Sequence, residues 1–89
     1  MYPDLKEKVV VVTGAGAGIG RAIALRFGRE KSLIMVNDLR EENAQKVAME
    51  IVSAGGQALA KSGDMTKESD VNSIFDEVLK TYGRIDILV

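Results

Sequence analysis

Residues Val9 to Gly20 read VVVVTGAGAGIG, a run of valines followed by glycines at 14, 16, 18 and 20. Residues 8–13 form a continuous β-branched stretch, which suits a strand buried on both faces, the habit of parallel sheets. The dinucleotide fingerprint G-x-G-x-x-G fits in no register here: counted from Gly14 its third glycine falls on Ile19, and from Gly16 on Arg21. A strand leading into glycines and then a helix still predicts a phosphate-binding turn. Such a turn needs backbone N–H groups aimed at the anion, no Cβ where ligand or sheet comes close, and the positive end of a helix facing the charge. Gly14, Gly18 and Gly20 meet this as T-G-x-x-x-G-x-G, with Gly16 an optional member.

Outward from this stretch, strand and helix patterns alternate. Ile19, Ala22, Ile23 and Phe27 recur at helical spacing with Arg21 and Arg29 turned away from them, and Gly28 lies near the helix end. Residues 32–38, SLIMVND, read as a second apolar strand. Residues 41–54 read as a helix with Ala44, Val47, Ala48 and Ile51 in one stripe, ended by Gly55 and Gly56. Residues 57–63 form a weaker third strand, because Ala58 and Ala60 have low strand preference. From Thr66, a candidate N-cap, to Tyr82, the residues Val71, Ile74, Phe75, Val78, Leu79 and Tyr82 fall on one helical face. Gly83 stops that helix and residues 85–89 begin a fourth strand.

This order predicts an α/β fold, a Rossmann-type doubly wound parallel sheet with strand order 3-2-1-4. The first two crossover helices fall on one face and the third on the other. The reversal opens a crevice at the carboxyl ends of strands one and four, where nucleotides bind in such sheets, and the glycine turn sits there.

Composition narrows the function classes. Apolar residues make up 46% of the 89 and charged ones 28%, the balance of a soluble globular protein, and a chain this short accommodates one domain. A net charge of -1 gives no electrostatic reason to expect nucleic acid or an anionic membrane as partner. The sequence has neither cysteine nor histidine, so disulfides are excluded, and only carboxylates and carbonyls remain as metal ligands. No metal site is expected. The opening MYPDLKEK lacks a signal peptide's basic and apolar regions, and no apolar run nears the ~20 residues of a membrane span, so the expected address is the cytoplasm.

The motif TGAGAGIG, from Thr13 to Gly20, resembles the TGxxxGIG turn of the short-chain dehydrogenase/reductase family, which holds the pyrophosphate of a nicotinamide cofactor. Two further carboxylates support the resemblance. Asp38 closes the second strand, where it can accept hydrogen bonds from both hydroxyls of the adenosine ribose, and Leu39 adjoins it. Asp64 follows the third strand in GDMT, matching the family position whose aspartate and next residue, here Met65, line the adenine ring. The expected cofactor-binding set is therefore Gly14, Gly16, Ala17, Gly18, Ile19, Gly20, Asp38, Leu39, Asp64 and Met65. A 2′-phosphate would meet like charge at Asp38, and Ala17 stands where NADP-using relatives commonly place Lys or Arg. NAD is favoured, while Arg40, close to Asp38, keeps NADP open as a second cofactor.

The family's serine, tyrosine and lysine that exchange the substrate proton have no counterpart here. A Y-x-x-x-K occurs at Tyr2 and Lys6, but Pro3 and its place before the first strand make it a coincidence, and Tyr82 has no lysine four residues on. No catalytic residue is expected in residues 1–89, which correspond to the cofactor-binding N-terminal third of a family member. The simplest account is a fragment, inactive alone, of an enzyme that moves hydride between a nicotinamide and a small alcohol or carbonyl compound. Relatives are usually tetramers, so the full-length enzyme is expected to be a homotetramer. Within the family, MYPDLKEKVVVVTG and GGQALAKSGDMTKESDV resemble bacterial glucose 1-dehydrogenases. Two other readings use the same residues: an S-adenosylmethionine-dependent methyltransferase, which leaves Thr13 and Gly20 unexplained, and a non-catalytic nucleotide-sensing module.

Overall fold

The computed structural model describes residues 5–89. Strands β1 (Val9–Val12), β2 (Leu33–Asp38), β3 (Gln57–Ser62) and β4 (Ile87–Leu88) alternate with helices α1 (Gly18–Arg29), α2 (Glu41–Ser53) and α3 (Glu68–Tyr82). All strand pairs are parallel and the order is β3-β2-β1-β4, the doubly wound arrangement expected. Each strand's side chains alternate between two layers, so every β1 valine is buried on one face or the other. Val10, Val12, Ile34 and Val36 pack with Ala24, Ala44, Val47 and Ile51 beneath α1 and α2. Val9, Val11 and Met35 pack with Ile74 and Val78 of α3 on the opposite face.

Five local expectations change. In α1, Ile19 is 81% exposed and Ala22 is also exposed, whereas Ala24 and Gly28 are buried and Ile23 and Phe27 pack beside them. The first turn of α1 overhangs the strand ends, so its apolar stripe reaches the core only from Ile23 onward. Arg21, expected to face solvent, pairs with Glu50 of α2 through both carboxylate oxygens, Nε donating to Oε1 at 3.1 Å. The two helices lie side by side on one face, and that pair bridges them. Thr66 is not the N-cap of α3; Lys67 holds that position and makes no side-chain cap bond. Leu79 is half exposed, at 48%, on the side of α3 away from the sheet. The fourth strand is shorter than residues 85–89, although backbone bonds from Asp86 N to Val9 O and from Val89 N to Val11 O, both 2.9 Å, continue its pairing with β1. Gly83 ends α3 in the left-handed conformation, with φ of 82°. Tyr2 of the Y-x-x-x-K pattern lies outside the described residues.

At the amino ends of the strands, side chains close the edge. The Val9 N–H donates to Asp86 Oδ2 at 2.8 Å, Arg84 Nε donates to the same oxygen at 2.8 Å, and Ser32 Oγ donates to Leu5 O at 2.7 Å. The carboxyl ends are built differently.

Candidate functional site

The turn between β1 and α1 begins at Thr13, whose hydroxyl donates to Val89 O at 2.9 Å and whose N–H reaches the same oxygen at 3.0 Å. Gly14 and Gly18 both take φ of +59°, a conformation that costs an L-residue roughly 1–2 kcal/mol. A Cβ on Gly20 would lie 2.2 Å from Gly14 O, so no side chain fits where the helix folds back over the turn. Ala15 is fully buried and its N–H donates to Asn37 O at 2.7 Å, which ties the turn to β2. The N-cap residue of α1, Ala17, is extended and offers no capping side chain, and the first turn of α1 holds no acidic residue. Its amides and positive dipole end are therefore left for an anion.

Asp38 stands beside this opening. Its Oδ1 accepts the Gly16 N–H and its Oδ2 accepts the Arg40 N–H, each at 3.1 Å. Gly16 is not an optional member of the turn here: a Cβ on it would lie 2.6 Å from Asp38 Cγ and 2.7 Å from Asn43 Cβ. Leu39, at 72% exposed, and Ile19 project from the same rim as large unburied apolar side chains. The Gly63 N–H donates to Asp38 O at 3.0 Å, so the loop carrying Asp64 adjoins the loop carrying Asp38. Asp64 is fixed by its own turn: Oδ1 accepts the Thr66 hydroxyl at 2.6 Å and the Thr66 N–H at 2.9 Å, while its N–H donates to Asp70 Oδ2 at 2.8 Å. The Thr66 hydroxyl, and after it the Thr66 amide, hold the Asp64 carboxyl below the usual carboxylate range. Met65 is half buried against the α3 side of the core, so part of its surface serves packing.

The ten residues expected from the sequence thus lie on three loops at the carboxyl ends of β1, β2 and β3 or on the element ends that flank them, Asp38 closing β2 and Gly18, Ile19 and Gly20 opening α1, joined by the Ala15–Asn37, Gly16–Asp38 and Gly63–Asp38 contacts. Sequence reasoning missed Asn37. It is 1% exposed, and its Nδ2 donates to Lys61 O at 3.1 Å and Gly63 O at 3.3 Å, which pins the end of β3 to β2. The available signal was an amide inside an otherwise apolar buried strand, where an unpaired polar group is costly. Among the described residues no helix is long and apolar enough to cross a membrane, and no three acidic side chains converge on a cation position. A concavity of about 1040 Å³ runs along the outer side of α2 past Glu42, Lys46 and Met49, away from the strand ends. It is the flank of a single helix and gathers no groups from other elements.

A model of the short chain dehydrogenase family matches residues 8–89. The chain belongs to that family. It is 38% identical over 90 aligned positions to glucose 1-dehydrogenase 2 of Bacillus subtilis (strain 168) and 42% identical over 90 to 3beta-hydroxysteroid dehydrogenase 1 of Eggerthella lenta. Those alignments cover 100% of this chain and 35% and 34% of the relatives, so the chain spans about a third of their length. The crystal structure of a hydroxysteroid dehydrogenase from Escherichia coli superposes with a TM-score of 0.92 at 38% identity, over 94% of this chain and 36% of that one. A 7α-hydroxysteroid dehydrogenase complexed with NADH and 7-oxo glycochenodeoxycholic acid superposes with a TM-score of 0.91 at 36% identity, over 99% and 36%. Membership of the short-chain dehydrogenases sets aside the methyltransferase reading and gives Thr13 and Gly20 their places, one tying the turn to the β4 side and the other packing the helix onto the turn.

Proposed function

We infer that this short-chain dehydrogenase chain is the dinucleotide-holding part of a longer oxidoreductase that interconverts an alcohol and a carbonyl compound with NAD. The observation that carries the reading is Asp38, fixed by two backbone N–H groups at the rim of a glycine turn whose helix start is uncapped and free of acid. The residues fit a dinucleotide. Gly14, Gly18 and Gly20 leave backbone rather than side chain at the anion's seat, and the α1 amides face the pyrophosphate position. The Asp38 carboxylate is an acceptor suited to ribose hydroxyls and repels a 2′-phosphate. Asp64 and Met65, on the neighbouring loop, border the adenine side, with exposed Leu39 and Ile19 as apolar cover.

When bound, the nicotinamide ring accepts or donates the hydride. The residues of this chain bind and orient the cofactor's adenosine and pyrophosphate; we assign proton exchange and substrate contacts to sequence beyond Val89. The relatives named for glucose and for hydroxysteroids support an alcohol-bearing substrate, with glucose the first candidate from the resemblance of residues 1–14 and 55–71. A homotetramer, from the family resemblance, and a cytoplasmic address, expected from the opening residues MYPDLKEK, complete the proposal.

Titrating the full-length protein with NADH, NADPH and S-adenosylmethionine tests it. NADH is expected to bind tightest. Asp38→Ala is expected to lower NADH affinity about tenfold, the scale of one charge-assisted hydrogen bond, and to leave NADPH affinity unchanged or improved. An unchanged preference between the two cofactors removes Asp38 from the ribose, and a protein that binds neither overturns the oxidoreductase reading.

A further inference from the structure

Position 16 is the one glycine of the turn that the T-G-x-x-x-G-x-G pattern leaves unspecified, yet three elements meet there. Its N–H supports Asp38 Oδ1, and its bare α-carbon faces both the Asp38 carboxylate at the end of β2 and Asn43 in the first turns of α2. We propose that Gly16 is a positioning residue for cofactor choice: its missing side chain lets the Asp38 carboxylate seat against the turn, which fixes the acceptor for the ribose and the charge facing a 2′-phosphate. The inference rests on the NAD reading above.

The effect of a side chain at position 16 is steric and then electrostatic. A Cβ at position 16 would lie 2.6 Å from Asp38 Cγ and 2.8 Å from Asp38 Oδ1, inside any permitted contact. It would also lie 2.7 Å from Asn43 Cβ, which is fixed to the α2 backbone and has no rotation by which to retreat. Asp38 can yield by turning about its Cα–Cβ bond, whereas the Asn43 contact is relieved only by the turn backing away from α2. That rotation breaks the bond to the Gly16 N–H and loosens the one from Arg40 N to Oδ2, so the carboxylate loses one backbone anchor and is held less firmly by the other. A carboxylate held less firmly at the rim is a weaker acceptor for a ribose hydroxyl, since it must be ordered on binding, and it opposes a 2′-phosphate less. Gly16→Ala therefore imitates part of Asp38→Ala without touching the carboxylate itself.

The test is a double-mutant cycle in the full-length protein, read as the ratio of NADH to NADPH dissociation constants. Gly16→Ala is expected to weaken NADH binding about tenfold and to narrow the preference by a similar factor, while the same change in an Asp38→Ala background shifts the preference less than about twofold. Equal losses for both cofactors, or the same shift with and without Asp38, would overturn the proposal and leave Gly16 a turn residue only. Should Gly16→Ala fail to fold, the link is read in folded protein from the Gly16 amide, whose hydrogen exchange is expected to quicken about tenfold in Asp38→Ala. An unchanged rate overturns the proposal as well. If the unaltered protein binds no NADH, the cofactor reading and this inference fall together. If NADH binds and Asp38→Ala alters the preference while Gly16→Ala does not, this inference falls alone.

Discussion

Two helices begin at the carboxyl edge of the sheet on either side of the glycine turn's strand, and they begin in opposite ways. The start of α3 is acidic: Glu68 and Asp70 occupy its first turn, and in the loop before it Asp70 Oδ2 takes the Asp64 N–H and Asp64 Oδ1 takes both donors of Thr66, although the N-cap, Lys67, makes no side-chain cap bond. The start of α1 has an extended alanine as N-cap, glycines at 18 and 20, and no acidic residue. Helix α2 resembles α3, with Glu41 and Glu42 in its first turn. Carboxylates in the first turn of a helix offset its dipole, which stabilises the fold by typically 0.3–1 kcal/mol each. The protein forgoes that stabilisation at α1 alone, which is the start that faces the crevice.

The contrast can be broken most severely at Gly20. Gly20→Ala drives a methyl group into Gly14 O, a backbone atom that cannot rotate away. It is expected to cost about 3 kcal/mol of stability, the upper range for forced overpacking, measured by urea denaturation. Cofactor affinity is expected to fall about a hundredfold by calorimetric titration, given that each 1.4 kcal/mol is a factor of ten.

A more discriminating change gives α1 an acidic, capped start. Ala17→Asp supplies the missing cap and acid, so the melting temperature is expected to rise, by the equivalent of about 1 kcal/mol. NADH affinity is expected to fall about tenfold because the new carboxylate occupies the amides and repels the pyrophosphate. Opposite signs in the two measurements identify an anion seat; a rise in both removes it.

The smallest effect belongs to the acidic start of α3. Because Thr66 depresses the Asp64 carboxyl in the folded state, the contact stabilises the protein above the unfolded value of about 3.9 and loses its contribution as pH falls through the lower folded value. Thr66→Val, which removes the hydroxyl donor, is expected to lower the melting temperature near neutral pH and to flatten its decline as the pH falls below about 4. The two melting curves should converge at the acid end. NADH affinity is expected to change little, since the altered group lies on the α3 side of Asp64.

Legibility differed between the middle of the sheet and its rim. The β1 valines, the Ala44–Val47–Ala48–Ile51 stripe and the Ile74–Val78 pair are buried where periodicity put them, because burial of apolar surface follows the residue spacing of strand and helix directly. Ile19 kept the helical spacing yet stands in solvent, because α1 starts at Gly18, before the chain has crossed back over the sheet. Arg21 belonged to the polar side of α1 by pattern, but α2 lies there, and Glu50 is 29 positions away in sequence. Thr66 has the chemistry of a cap and spends it on Asp64 instead.

The sequence by itself determined the strand–helix order, the sheet order 3-2-1-4, the turn at Gly14, Gly18 and Gly20 and the two carboxylates that follow β2 and β3, since each depends on local periodicity, backbone freedom or the handedness of crossovers. Only the tertiary structure decided that Gly16 belongs to the site, that Asn37 pins β3 to β2, and that Arg21 bridges two helices. Those facts are contacts between residues 22 to 29 positions apart, whose existence depends on how closely two elements approach, and no single stretch of sequence encodes that distance.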